Sequence, residues 1–250
     1  KTGEDSFTAL TKPSKKLKNG TKILFDNGIT GTVLENSDFG KIIKFSDPDG
    51  LADIGRVPLP PYIKREPEAL DDERYQTVYA RNDGATASPT AGLHFTNDLL
   101  GKISRSGIDI AYVTLNVSYG TFAPVLEEDV EKHKMHKEYF RLTEDTADVI
   151  NKTKERGGRV IAVGTTTTRV LESCGGGKVC PGEGTTDLFI YPGYRFKTVD
   201  MMLTNFHLPK STLLLLVSAF AGTEFIKEAY KKAVERNFRF FSYGDCMFIT

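Results

Sequence analysis

The sequence predicts an α/β chain: a layered α/β domain with a small β domain at its N-terminal side. Three observations predict it. Residues from about Ser6 to Ile63 are β-rich short runs broken by turn residues, and the stiff stretch Val57-Pro58-Leu59-Pro60-Pro61 closes that region. Beyond it, helical segments and short apolar strands alternate to the C-terminus.

Thr21 to Phe25 and Ile29 to Leu34 read as strands around Asp26-Asn27-Gly28, a hairpin-turn signal. Gly40 to Phe45 supplies another strand, followed by the turn Asp47-Pro48-Asp49-Gly50. The prolines of Val57 to Pro61 cannot continue a ladder, so the stretch reads as a connector and divides the chain into residues 1–63 and 64–250. Asp71 to Arg81 is predicted helical. Thr96 to Ser106 is a helix with Thr96 as N-cap and Gly107 just past its end. Ile108 to Val117 is a strand, and Thr143 to Arg156 is a helix closed by Gly157-Gly158. Arg159 to Val163 is a strand, continuously apolar after Arg159, as in a sheet covered on both faces. Leu188 to Tyr191, Met201 to Thr204 and Met247 to Ile249 add strands; Ser211 to Phe220 and Glu224 to Arg236 add helices.

With 250 residues and 39% hydrophobic content, the chain can bury one large body and a smaller one. Its 33 basic residues balance 33 acidic ones, which argues against coating nucleic acid by bulk charge and leaves room for a local patch. No apolar run approaches the roughly 20 residues that span a bilayer, and no signal peptide is visible. Three cysteines are few and odd in number, so a soluble cytoplasmic protein is expected. Lys1 is not a methionine, and residues preceding it in the natural protein are expected to be missing.

Six segments are polar, four of them glycine-bearing, in ways that suit a ligand. Ser88 to Phe95 places small residues (Pro89, Thr90, Gly92) and the titratable His94 before a helix; a tight loop with a capping histidine is the alternative. Tyr119, Gly120, Thr121 and Phe122 follow a strand, where open α/β sheets bind ligands, and suit a flat ligand or a cation on a ring face; an aromatic core loop competes. His133 and His136, three apart, invite a zinc reading, but no Cys-x-x-Cys or third clustered histidine supports it, so no metal is expected. Acid–base work or a phosphate contact fits them better, beside a plain charged turn. Val163-Gly164-Thr165-Thr166-Thr167-Thr168-Arg169 runs from strand into helix, an anion site at a positive helix end or an ordinary N-cap. It is neither a Walker loop nor a dinucleotide fingerprint. Thr204 to Ser211, with Asn205, His207 and Lys210, is a second strand-to-helix turn, and Phe241 to Asp245 packs Ser242, Tyr243 and Asp245 into one short turn; a plain cap and a plain turn are the alternatives. All four histidines fall in these loops, which simple packing would not require. Cys174 to Cys180, by contrast, reads as a flexible loop.

These segments, in order, resemble the S-adenosylmethionine:tRNA ribosyltransferase-isomerases of queuosine biosynthesis. The resemblance is carried by Tyr75 to Ala80, Ser88 to Phe95, Gly120-Thr121-Phe122, His133 to Tyr139 and Val163 to Thr166. It continues through Thr186 to Tyr194, Thr204 to Thr212 and Phe241 to Asp245, and more loosely through Lys12 to Lys18 in the first domain. It implies an α/β/α domain with an appended small antiparallel β-barrel domain. The family's N-terminal segment ahead of the barrel is expected to be missing from these residues, and Thr185 stands where the family often has tryptophan.

The implied reaction moves the ribosyl group of S-adenosylmethionine onto 7-aminomethyl-7-deazaguanine in tRNA, giving epoxyqueuosine and releasing adenine and methionine. S-adenosylmethionine is then a consumed co-substrate, no recycled cofactor is expected, and a monomer is expected. A sulfonium acidifies the adjacent C5′ hydrogens, so a base is needed: His94 or His133, with His136 behind them. Asp187, Tyr119 and Phe122 are available to the sulfonium, and Thr165 to Thr168 with Arg169 to the methionine carboxylate. His207 or Asp245 would protonate departing adenine. Tyr191, Asn205, Lys210, Ser242 and Tyr243 complete the expected substrate contacts, while Lys12, Lys15, Lys16 and Lys18 form a basic patch for tRNA. A non-catalytic RNA-binding module of the same fold is a rival reading. An S-adenosylmethionine-dependent methyltransferase is another, weakened by the lack of a Gly-x-Gly loop after an early strand.

Overall fold

A computed structural model of the chain describes residues 3–37, 40–60, 62–82, 84–117, 130, 133, 135 and 137–250. The chain forms two compact units, Lys1–Val57 and Pro58–Thr250.

In the smaller unit, β1 (Ser6–Ala9), β2 (Lys22–Leu24), β3 (Thr30–Ser37) and β4 (Gly40–Phe45) form one antiparallel sheet in the order β1-β4-β3-β2. Gly28, at φ +82°, makes the β2–β3 turn, and its Asn27 Oδ1 accepts the Ile29 N–H at 3.2 Å. Alternate residues Ile29, Val33, Ile43 and Phe45 are buried against Phe7, Leu17 and Phe25. The expected barrel is corrected here: among the described residues β1 and β2 are the unpaired edges of an open sheet. With three and four residues, these edge strands offer too short a ladder for the staggered pairing that closure needs. Helix α1 (Leu51–Ile54) follows the Asp47–Gly50 turn.

The larger unit is mixed α/β. Helix α2 (Ala69–Arg74) ends at Tyr75, well short of the expected Arg81, because Thr77 and Tyr79 turn away to pack over Gly92. Helices α3 (Asn97–Arg105) and α4 (Glu144–Glu155) start at the threonine caps read from sequence; Thr96 Oγ1 accepts the Leu99 N–H and Thr143 Oγ1 the Thr146 N–H. A three-stranded antiparallel sheet runs β5 (Thr114–Asn116), β6 (Glu138–Leu142), β8 (Gly182–Thr186), in that order. A second sheet has the order β10 (Cys246–Ile249), β9 (Met201–Asn205), β7 (Ile161–Val163); β7 runs parallel to β9, and β10 antiparallel.

Three strand expectations change. The Ile108–Val117 strand shrinks to Thr114–Asn116. The Arg159–Val163 strand lies at a sheet edge among the described residues, leaving Ile161 42% exposed rather than covered. Leu188 to Tyr191 is not a strand: β8 takes the free edge of β6, and Ile190 is buried in the core from an unpaired segment. Helix α5 (Thr165–Cys174) follows β7, and α6 (Thr212–Ala221) and α7 (Thr223–Glu235) follow β9. One core packs α4 and α5 on β7 through Ala147, Ile150, Ala162 and Val170; another packs α6 and α7 on β9 and β10 through Met202, Leu216, Val217, Ile226 and Ile249. Among the described residues no helix is long and apolar enough to cross a membrane.

Candidate functional site

Because β7 and β9 are parallel, their carboxyl ends open on the same side, and the two following turns meet there. The result is a cleft of about 740 Å³ including its open mouth. Thr165 and Thr166 come from the β7 turn, and Thr204, Asn205 and His207 from the β9 turn. Ser88, Pro89, Thr90 and Ala91 form one wall, and Tyr62, Phe241 and Ser242 another.

The β7 turn depends on Gly164, whose φ of +93° and ψ of 150° suit only glycine. An added Cβ would lie 3.6 Å from the Ala91 Cβ, an ordinary contact, so the backbone angle and not space calls for glycine. Gly164 is the N-cap of α5 yet offers no capping side chain, so the helix begins with amide N–H groups directed to the cleft end. Ser211 caps α6 by accepting the Leu214 N–H at 3.2 Å, and it too borders the cleft. The positive ends of two helices therefore face one space. Among the described residues no carboxylate, lysine or arginine lines it.

His207 and His94 give the site its titratable groups. Burial lowers the His207 pKa to about 4, even though part of the ring faces the cleft; its Nε2 lies 3.0 Å from Thr204 Oγ1 and its backbone N–H donates to Tyr230 Oη. The ring is neutral at pH 7. His94 stands behind the cleft lining, 2.9 Å from Asn205 Nδ2, and burial lowers its pKa too, with Asp245 pulling it up and Arg239 down.

Phe241 adopts φ +70°, unusual for a bulky residue. Three hydrogen bonds hold it: its N–H donates to the Phe206 carbonyl, and its carbonyl accepts from Asn205 Nδ2 and from the Gly244 N–H. Its ring meets that of Tyr62 at 4.8 Å, and the hydroxyls of Tyr62 and Ser242 are hydrogen-bonded. Tyr62 and Phe241 were not among the residues singled out from sequence. A partner 180 residues away leaves no local signal for Tyr62, and only the Phe241-Ser242-Tyr243-Gly244 string hints at the turn.

Of the residues expected from sequence, Pro89, Thr90, Thr165, Thr166, Asn205, His207 and Ser242 meet in this cleft. Others lie elsewhere. Gly92 is buried where a Cβ would collide with Tyr79 and Thr77. Thr167 sits in the first turn of α5, and Arg169 is 2% exposed, its Nη1 2.5 Å from Glu138 and its Nε donating to the Leu188 carbonyl. Tyr243 donates to Asp71, which Arg65 also grips, holding that carboxyl well below the usual carboxylate range. Asp245 accepts the Arg239 backbone N–H at 2.7 Å, which lowers its pKa. His133 and Tyr191 flank Phe189 at 5.2 Å each, Asp187 is exposed, and Lys210 is exposed at φ +57°. In the smaller unit Lys12, Lys15, Lys16 and Lys18 are all exposed. Tyr119, Gly120, Thr121, Phe122 and His136 lie outside the described residues.

Comparison with known proteins fixes the family. The model of the family described as "Queuosine biosynthesis protein" matches residues 2–249. An S-adenosylmethionine:tRNA ribosyltransferase-isomerase of Citrifermentans bemidjiense is 53% identical over 250 residues, covering 98% of this chain and 73% of its own length. One of the same name from Geotalea uraniireducens is 55% identical, covering 97% of this chain and 73% of its own. The crystal structure of S-adenosylmethionine tRNA ribosyltransferase from Thermotoga maritima superposes with a TM-score of 0.53 at 36% identity, covering all of this chain and 72% of that one. A family-wide match from end to end, together with identity above one half, means that this chain belongs to the S-adenosylmethionine:tRNA ribosyltransferase-isomerase family of queuosine biosynthesis.

Proposed function

We propose that this chain transfers and isomerises the ribosyl moiety of S-adenosylmethionine onto 7-aminomethyl-7-deazaguanine in a tRNA, forming epoxyqueuosine-tRNA and releasing adenine and methionine. Identity of 53–55% to enzymes of that name, over 97–98% of the chain, carries this reading. Neither the methyltransferase nor the non-catalytic reading gains support from those relatives.

The cleft at the ends of β7 and β9 is the proposed donor site. The uncapped start of α5 suits the methionine carboxylate through the Thr165 and Thr166 N–H groups, with Arg169, tied to Glu138, behind the turn. The Tyr62–Phe241 wall suits a flat base. A base taken from His94, His133 and His136 removes a C5′ proton made acidic by the sulfonium; adenine leaves, the tRNA amine attacks, and epoxide closure expels methionine. At neutral pH His207 is a neutral hydrogen-bonding group and Asp245 is ionised, so neither carries a ready proton for adenine. The exposed Lys12, Lys15, Lys16 and Lys18 suit tRNA phosphates. Helices stacked on both faces of the β10-β9-β7 sheet, a monomeric state and a cytoplasmic location complete the proposal. S-adenosylmethionine is a co-substrate in it, not a recycled cofactor.

The test is product analysis with S-adenosylmethionine and tRNA bearing the aminomethyl base. Adenine and methionine in equal amounts are expected. S-adenosylhomocysteine would identify a methyltransferase, and no product a binding module.

A further inference from the structure

Asn205 ends β9 with its side chain almost wholly buried, and two groups lie against its amide nitrogen: the Phe241 carbonyl oxygen at 3.2 Å and His94 Nε2 at 2.9 Å. A carbonyl oxygen only accepts, so the amide's nitrogen end must face Phe241; turned over, the amide would set two oxygens against each other. Its second hydrogen then points at His94 Nε2, which must receive it with a lone pair. The proton of the neutral imidazole therefore sits on Nδ1. A charged ring would set an N–H of Nε2 against the amide hydrogens. The charged groups facing the ring, Asp245 and Arg239, pull in opposite directions, while burial favours the neutral form.

The same arrangement leaves Asn205 Oδ1 buried with no donor among the described residues. Ser88 Oγ, from a residue lining the same cleft, is also buried without a partner among the described residues. Native structures rarely leave such atoms unmet, which points to a ligand as the missing partner. Beside them stands the aromatic wall of Tyr62 and Phe241. An acceptor, a hydroxyl and a ring face together match the edge of an aminopurine, which shows an amino donor next to a ring-nitrogen acceptor.

We propose that Asn205 is a positioning residue that holds His94 in its Nδ1–H form, and that its free Oδ1 receives the purine amino group of the co-substrate. The second half rests on the activity proposed above. In that form His94 offers Nδ1 only as a donor from behind the cleft lining, and the base at C5′ falls to His133 or His136.

Long-range ¹H–¹⁵N spectroscopy of the ligand-free protein reads the histidine rings without any turnover. His94, assigned through His94→Gln, is expected to be neutral at pH 7 with its proton on Nδ1. Asn205→Ala is expected to move the proton to Nε2 and raise the titration midpoint. A wild-type ring protonated on Nε2, or charged at pH 7, overturns the assignment without needing any other variant to fold. Calorimetric titration then compares S-adenosylhomocysteine with its inosine counterpart, in which a carbonyl replaces the amino group. Binding at least about tenfold weaker for the inosine form is expected in the wild type, and comparable binding in Asn205→Ala. Equal binding of both by the wild type, or of neither, overturns the amino-group assignment. Both measurements are independent of adenine release with tRNA, so a failed activity is told apart from a failed positioning role.

Discussion

Acidification is expected to destabilise the larger unit through His207. The folded ring has a pKa near 4, against an ordinary value of 6.5 that it recovers on unfolding. Between these values the unfolded chain binds more protons, so stability falls as pH drops through that window. Linkage with the two values gives about 2 kcal/mol lost between pH 7 and pH 5, and about 3 kcal/mol below about pH 4. His94 shifts the same way, so a pH series on the wild type alone would mix the two. The assay is therefore urea unfolding at pH 7, 6 and 5 for the wild type and His207→Gln, reading the difference between them. That difference is expected to shrink by about 2 kcal/mol toward pH 5, since only the wild type loses the neutral-ring advantage. A difference constant across the series would refute the reasoning, because it would mean that the folded ring takes up protons as freely as the unfolded one.

Arg169→Met takes its arginine partner from a Glu138 that is 1% exposed, and should cost about 3–5 kcal/mol in chemical denaturation; adding Glu138→Gln should recover much of that loss. Gly164→Ala forces a side chain into φ +93° and should cost about 1–3 kcal/mol while weakening calorimetric binding of S-adenosylmethionine, since the strained residue starts the α5 turn. Replacing Lys12, Lys15, Lys16 and Lys18 with alanine should flatten the salt dependence of tRNA binding by roughly 0.7–0.9 log units per lost phosphate contact, read by filter binding; an unchanged slope would move the tRNA surface elsewhere.

The elements read well from sequence are those whose signals are local. Thr96, Thr143 and Ser211 cap helices because their hydroxyls accept N–H groups three residues on, within the same stretch of chain. Met201 to Asn205 and Cys246 to Ile249 are mostly apolar runs that pair with each other, the first also with β7. Failures come where two segments compete for one edge. Leu188 to Tyr191 has the aromatic and branched residues of a strand, yet Gly182 to Thr186 occupies the β6 edge, and glycines at 182 and 184 disguise that strand as a loop. Strand pairing is a contest over distance along the chain, and no single segment shows who wins it.

The site was legible in the same uneven way. The turns after β7 and β9 announced themselves because a ligand-facing strand end needs glycine, threonine and small polar residues at fixed offsets. Chemical role was harder to read, since it depends on what lies opposite. Arg169 reads as an anion ligand by composition, but Glu138 from β6 already holds it in the core. His94 and His207 look alike in sequence. In the folded chain one faces an amide and two opposite charges, while the other lines the cleft beside a threonine hydroxyl, desolvated enough to hold its pKa near 4. Asn205 sets the first of these environments: its nitrogen, not its oxygen, must face the Phe241 carbonyl, which the Gly244 N–H also meets, and that orientation sets where the His94 imidazole proton sits.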